Sequence, residues 1–243
     1  MRDGVLELWR GSFGSAELPL AVFYSDDEAW AAHTKKVSAH VCMVGQLARV
    51  RHGGETLAFA AETFGCFGGA RFCGYRTQVS PDFRFFLSTG IPGKLEGERY
   101  KRTPELVDRY VADLPVPRAQ GRYIVFKRWD TLAPGEEPLV MIAFAVADVL
   151  AGLYTLANYG SAQPAVVAPF AAGCGTVVSL PLAEAERDEP RAVLGMFDVS
   201  SRPYVEPGVL TFAAPRRLVE RMVADGPGSF LATPAWERVR RRL

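Results

Sequence analysis

The order of its apolar segments constrains this chain more than any single motif does. Runs that favour β structure alternate with helix-patterned stretches, but not in the regular strand–helix–strand rhythm of a doubly wound sheet. The expected class is therefore α+β, a mixed sheet or sheets with flanking helices. Strands are expected in ELPLAVFY (17–24), ETLAFAA (55–61), the first part of DFRFFLSTGIPGKLEG (82–97), RYIVFKRW (122–129), LVMIAFA (139–145), PAVVAPF (164–170), RAVLGMFD (191–198) and VLTFAAP (209–215). Helices are expected in SDDEAWAAH (25–33), VCMVGQLARV (41–50), TPELVDRYVADL (103–114, capped by Thr103), DVLAGLYTLANY (148–159, stopped by Gly160) and PRRLVERMVADG (215–226), and from Phe230 onward. AAGCGTVVSLPL (171–182) reads as a glycine turn leading into an apolar segment, and GGARFCGYR (68–76) as the start of a helix or a turn. No internal repeat or low-complexity tract divides the chain, so 1–243 reads as one domain, with PVPRAQG (115–121) as the best candidate for a hinge between two lobes.

Charge narrows the partner classes. Twenty-eight basic against 27 acidic residues leave a net charge of +1. That gives no broad field for a polyanion, so no nucleic-acid partner is expected. Charges at Asp3, Glu7, Arg10 and Glu17 interrupt the N-terminal apolar residues before they reach signal-peptide or membrane-span length, which leads to the expectation of a cytoplasmic protein without a membrane partner. In that compartment Cys42, Cys66, Cys73 and Cys174 are expected as thiols or ligands and not as disulfides.

The cysteines sit in suggestive company. Residues 62–75, ETFGCFGGARFCGY, hold Cys66 and Cys73 among four glycines, and Cys174 lies between Gly173 and Gly175. Glycine admits positive φ and lets backbone amides approach a ligand or a sulfur. Four cysteines are also the usual donor supply of an iron–sulfur or other soft-metal site. The spacing, however, matches neither the paired C-x2-C of zinc sites nor the compact runs of small ferredoxins. Three readings therefore stand: buried small hydrophobes with packing glycines, a metal or cluster site on all four cysteines, or a reactive thiol or redox pair. His33, His40 and His52 fall within one N-terminal stretch and supply no conventional zinc site, and only His40 is placed to activate Cys42 or Cys66.

In LGMFDVSSRPYV (194–205), Asp198, Ser200, Ser201 and Arg202 follow a strand. Arg202 there either grips a carboxylate or phosphate or pairs with Asp198 to pin a turn. GIPGKLEG (90–97) lacks the order of a phosphate-binding loop. The terminal WERVRRRL reads as a solvated helix end, and Trp9, Trp30, Trp129 and Trp236 as core or rim aromatics.

GCFGGARFCGY, followed a hundred residues later by PFAAGCGTVVSLPL and then by LGMFDVSSRPYV and VLTFAAP, resembles domain-of-unknown-function family 169 over about residues 15–240. The positions that match its pattern are Cys66, Gly69, Gly74, Gly173, Cys174, Gly175, Asp198 and Arg202, with Phe67 standing where proline and Cys73 where an apolar residue is usual. The resemblance implies that Cys66 and Cys174 converge. It brings no established activity. The resulting expectation is a protein that holds a metal or iron–sulfur cluster through Cys42, Cys66, Cys73 and Cys174, with Gly69, Gly173, Gly175 and Arg202 beside a bound group and a small molecule or redox protein as partner. The alternatives are a metal-free module for a small anionic ligand and a cysteine-dependent enzyme.

Overall fold

The computed structural model describes residues 1–35 and 39–243. In chain order its regular elements are α1 (Arg2–Phe13), β1 (Leu20–Ser25), α2 (Met43–Gly53), β2 (Leu57–Phe59), α3 (Phe67–Phe72), α4 (Phe83–Phe86), α5 (Pro104–Asp113), β3 (Tyr123–Arg128), β4 (Val140–Ala145), α6 (Ala147–Tyr159), β5 (Val166–Val167), α7 (Leu180–Ala185), β6 (Ala192–Gly195), β7 (Leu210–Pro215), α8 (Arg216–Asp225) and α9 (Pro234–Arg240). A π turn over Gly175–Ser179 leads into α7, and 3-10 turns occupy Glu28–His33 and Val199–Tyr204.

The strands form one sheet in the order β2-β3-β1-β4-β7-β6-β5. Every pairing is antiparallel except that of β5 with β6. This is the mixed α+β arrangement that the segment order implies.

The strands read as nearly continuous apolar runs because both faces of the sheet are covered. Ala21 and Phe23 of β1, Val125 of β3, Met141 and Ala143 of β4 and Phe212 of β7 point to one core, with Trp9 and Phe13 of α1, Leu153 of α6, Leu218 of α8 and Trp236 of α9. The alternate residues Leu20, Val22, Ile124, Phe126, Ile142 and Ala213 point to a second core, with Met43 and Leu47 of α2, Phe72 of α3 and Val177 and Val178 of the π turn. The period of two thus feeds two cores. The covering helices come close where side chains are absent: a Cβ on Gly152 of α6 would lie 2.3 Å from the Trp236 ring.

One sequence expectation is corrected, one undecided segment is resolved and one helix is added. The aromatic run at 82–87 is not a strand. Ser80 and Asp82 start a turn there, and Phe83 and Phe86 meet at i,i+3 spacing with ring centroids 6.3 Å apart. The segment after Gly173 is helical throughout, because burial of Thr176, Val177 and Val178 overrides their β propensity. Finally, α1 has no counterpart among the expected elements, although Val5, Leu6, Trp9 and Phe13 mark a helical face. Residues 115–121 connect α5 to β3, which inserts between β2 and β1.

Candidate functional site

All four cysteines lie on the second face of the sheet, and each stands at a helix end. Cys42 is the N-cap of α2, Cys66 the N-cap and Cys73 the C-cap of α3, and Cys174 the residue entering the π turn. Cys66 takes the place of a capping hydroxyl or carboxylate, its Sγ accepting a hydrogen bond from the Gly69 amide at 3.3 Å. The Val41 amide donates to the Gly65 carbonyl at 3.1 Å, which brings the residues just before Cys42 and Cys66 together. Cys73 Sγ lies 3.5 Å from Met43 Sδ. All four cysteines are free thiols.

The glycines explain how these ends meet. A Cβ on Gly68 would stand 3.4 Å from Cys174 Sγ, and one on Gly69 would stand 3.0 Å from Cys66 Sγ and 3.1 Å from Met43 Cβ. At Gly175 it would meet the Phe72 ring at 3.2 Å, and at Gly173 it would meet Ser201 Oγ at 2.7 Å and Met196 Sδ at 3.0 Å. Protein atoms fill the space beside these glycines, so bare backbone lets α3 press onto α2 and the π turn. Gly74 closes α3 with φ of 82°, where a Cβ would lie 2.4 Å from the Ala119 amide nitrogen.

Burial pushes the thiols of Cys73 and Cys174 well above the usual range. Cys42 is also raised by burial, in spite of backbone amides of α2 that favour its thiolate. Negative charge on Cys66 adds to the rise at each of these three sulfurs, and Cys174 responds in addition to Cys73, Cys42 and Asp198. Cys66 and Cys174 are thus each close enough to the other sulfurs to couple with them. Among the described residues, no group of three or more His, Cys, Asp and Glu side chains is arranged to hold a metal ion. His40 is exposed and makes no hydrogen bond to either Cys42 or Cys66.

The third motif forms the wall beside Cys174. Asp198 is buried and accepts hydrogen bonds from the Gly173 amide (3.3 Å), the Ser200 amide (3.1 Å) and the hydroxyls of Ser200 and Ser201 (both 2.8 Å). It anchors the loop after β6 to the start of the π-turn helix. Met196 turns that loop with φ of 66°, an uncommon conformation for a buried residue with a side chain. Arg202 does not pair with Asp198; its guanidinium donates to the carbonyls of Met196, Glu206 and Val209 and closes the loop on itself. Those bonds occupy the donors that the sequence assigns to a ligand.

Other members of the site carry no sequence motif. Tyr110 of α5 has its hydroxyl pushed up to about 12 by burial and then by the nearness of Asp198 and Cys174. The Phe170 ring, half exposed ahead of Gly173, has its centroid 5.6 Å from Tyr110 and 6.2 Å from Tyr100. Lys101 Nζ lies 4.8 Å from the centre of the Tyr110 ring and 4.5 Å from that of Phe170. Aromatic residues spread over 100–110 and 170 give no periodic signal, so only the fold assembles them. Two surface recesses lie elsewhere, one lined by Thr89, Ile91, Lys94 and Arg99 and one along α1.

No helix among the described residues is long and apolar enough to cross a membrane. No curated protein and no solved structure matches the chain. The model of the DUF169 family, described as uncharacterised ArCR, matches residues 12–225 and so spans both cores, the cysteine face and the Asp198 loop. The chain belongs to the DUF169 family.

Proposed function

We propose a thiol-centred function in which Cys66 is the working sulfur and Cys42 and Cys174 stand behind it. The observation that carries this reading is the setting of Cys66, which caps α3 with its Sγ on the Gly69 amide at 3.3 Å and is half buried where Cys73 and Cys174 are buried. A half-buried sulfur can be reached by a partner that the buried Cys73 and Cys174 cannot meet. The role takes one of two chemical forms, thiol exchange with a small-molecule or protein disulfide, or ligation of a soft metal or iron–sulfur cluster.

Thiol exchange is favoured. It needs one accessible sulfur and one partner, whereas a four-cysteine cluster would have to ionise Cys73 and Cys174, which burial holds protonated, and draw together donors that do not form a ligating group in this conformation. In exchange, the Cys66 thiolate attacks one sulfur of the incoming disulfide, forms a mixed disulfide and releases the other sulfur as a thiol.

The test is metal analysis of protein purified without oxygen, followed by mapping of iodoacetamide labelling at neutral pH. Cys66 should label first, and Cys66→Ser should remove that product. Equal, slow labelling of all four cysteines in metal-free protein would overturn the reading. Stoichiometric iron or zinc that is lost in Cys66→Ser would instead establish the ligating form.

A further inference from the structure

Cys42 and Cys66 are the two half-buried members of the cysteine set, and they occupy matching positions. Cys42 is the N-cap of α2 and Cys66 that of α3, and each lies one residue beyond the backbone hydrogen bond from the Val41 amide to the Gly65 carbonyl (3.1 Å). The two caps therefore start from one clamped point. Gly69 keeps the first turns together after it. The position of its missing Cβ lies 3.0 Å from Cys66 Sγ and 3.1 Å from Met43 Cβ, so the sulfur of one cap and the side chain that follows the other share one contact. Negative charge on Cys66 also opposes ionisation of Cys42, a coupling that requires proximity.

The other two sulfurs are differently placed. Cys73 is buried with its Sγ 3.5 Å from Met43 Sδ, and Cys174 is buried with its Sγ against Gly68, where a Cβ would stand 3.4 Å away. Burial holds both protonated. At Cys42 burial likewise raises the thiol, but the amides of Gly45 and Val44 in the first turn of α2 favour its thiolate. Of the three, Cys42 alone combines access, amides that favour its thiolate and a backbone clamp to the Cys66 cap.

We infer that Cys42 is the resolving cysteine of the thiol centre, and that Cys42 and Cys66 close to a disulfide beside the Val41 to Gly65 clamp. The inference rests on the thiol reading and names the second sulfur of that exchange. After Cys66 has taken up one half of an incoming disulfide, Cys42 gives its proton to water and its thiolate attacks Cys66 Sγ. The Cys42–Cys66 bond forms as the bond from Cys66 to the bound half breaks, and that half leaves with the electron pair and takes up a proton as a thiol. Over the two steps the incoming disulfide gains two electrons and two protons from the two cysteines, and no other reagent is consumed. Backbone already hydrogen-bonded beside both cysteines suits the short Cα separation that a disulfide needs, roughly 4.4–6.8 Å.

The experiment adds dithiobis(nitrobenzoate), a disulfide whose released halves absorb visible light, at less than one equivalent to reduced protein, and maps the acid-quenched products as non-reduced peptides. The wild type should release both halves of each reagent molecule and yield a Cys42–Cys66 disulfide. Cys42→Ser should release one half and keep the other on Cys66, about a twofold drop in yield, while Cys174→Ser behaves as the wild type. The wild-type peptide map reads the pairing without any substitution, so a variant that fails to fold does not decide the result. A lasting Cys66 adduct in the wild type, or a Cys66–Cys174 disulfide in its place, overturns Cys42 as the resolving residue and leaves the thiol reading standing. A Cys66 that takes part in no product overturns the thiol reading, and the inference with it.

Discussion

Arg51 on α2 and Glu206 beyond the Asp198 loop meet side chain to side chain at 2.8 Å. The same guanidinium holds Glu17 through Nε at 2.6 Å and lies 4.2 Å from the centre of the Phe144 ring. The helix that starts at Cys42 is thereby tied to the loop that walls Cys174. Arg51 is almost wholly buried, whereas its carboxylate partners keep contact with water. We expect Arg51→Met to lower unfolding stability by about 2–3 kcal/mol in urea titration, because it leaves Glu17 with only the exposed His52 beside it, at 3.6 Å. Glu206→Gln should cost less than about 1 kcal/mol, since its side chain is half exposed.

The Glu206 pair also sets an acid dependence. Burial pushes the Glu206 carboxyl up, but the hydrogen bonds and charge of Arg51 outweigh it and hold the group below its usual value of 4.5. A depressed carboxyl contributes stability above its unfolded value and loses it as pH falls through the folded one. The stability advantage of the wild type over Glu206→Gln should therefore be constant near neutrality and vanish in acid, as read from urea midpoints between neutral and acidic pH.

The buried thiols set the opposite dependence at alkaline pH. Cys73 and Cys174 are held well above their usual value of 9.0, so the unfolded chain releases those protons first. The stability that they contribute is present below the unfolded value and is lost as pH rises, with a slope of up to about 1.4 kcal/mol per pH unit for each group. Replacing both by valine should flatten the alkaline limb of a urea-midpoint profile measured from pH 7 upward. The half-buried tyrosines Tyr24, Tyr75 and Tyr110, whose hydroxyls burial also pushes up, leave a residual slope at higher pH.

Asp198 tests the wall of the site. Asparagine keeps one acceptor where the carboxylate now serves the Gly173 amide, the Ser200 amide and two serine hydroxyls. Asp198→Asn should cost about 1–3 kcal/mol and open the 199–204 turn to limited proteolysis. Gly173→Ala, which sets a methyl against Ser201 Oγ at 2.7 Å, should open the same turn at a cost of about 1–3 kcal/mol. Gly11→Ala in α1, where a Cβ would touch nothing within 4 Å, is the control, and should be stabilising by up to about 1 kcal/mol without opening the turn.

The sequence carried much of the fold. Thr103 caps α5 through the Leu106 amide, Gly160 ends α6, the strands at 123–128, 140–145 and 210–215 lie within the apolar runs that predict them, and that at 20–25 runs one residue past its own. Local chemistry decided those elements. Where tertiary packing decided, the reading failed at FRFF, which folded back on itself, and left the apolar segment with Val177 and Val178 without an assigned element. The meeting of the glycine loops was legible because bare backbone permits close approach, and Cys66 and Cys174 do lie on one face about Gly68 and Gly69. Arg202 was legible as a donor, but not the three carbonyls that occupy it. Lys101, Tyr110 and Phe170 left no trace, since their relation exists only once α5 packs against the segment before Gly173.

Strand order governs the sequence of assembly. β1, synthesised early, ends between β3 and β4, and the nearer of those begins only at Tyr123. A nascent chain thus carries an apolar strand with both edges open until about a hundred further residues have been added, and it is during that interval that a stray partner would find it. β7 pairs with β4 on one side and β6 on the other, so the Asp198 loop, between β6 and β7, is fixed only after the central strands have met. The wall beside Cys174 therefore depends on long-range pairing of β4 with β7, and cannot be completed by the cysteine segments alone.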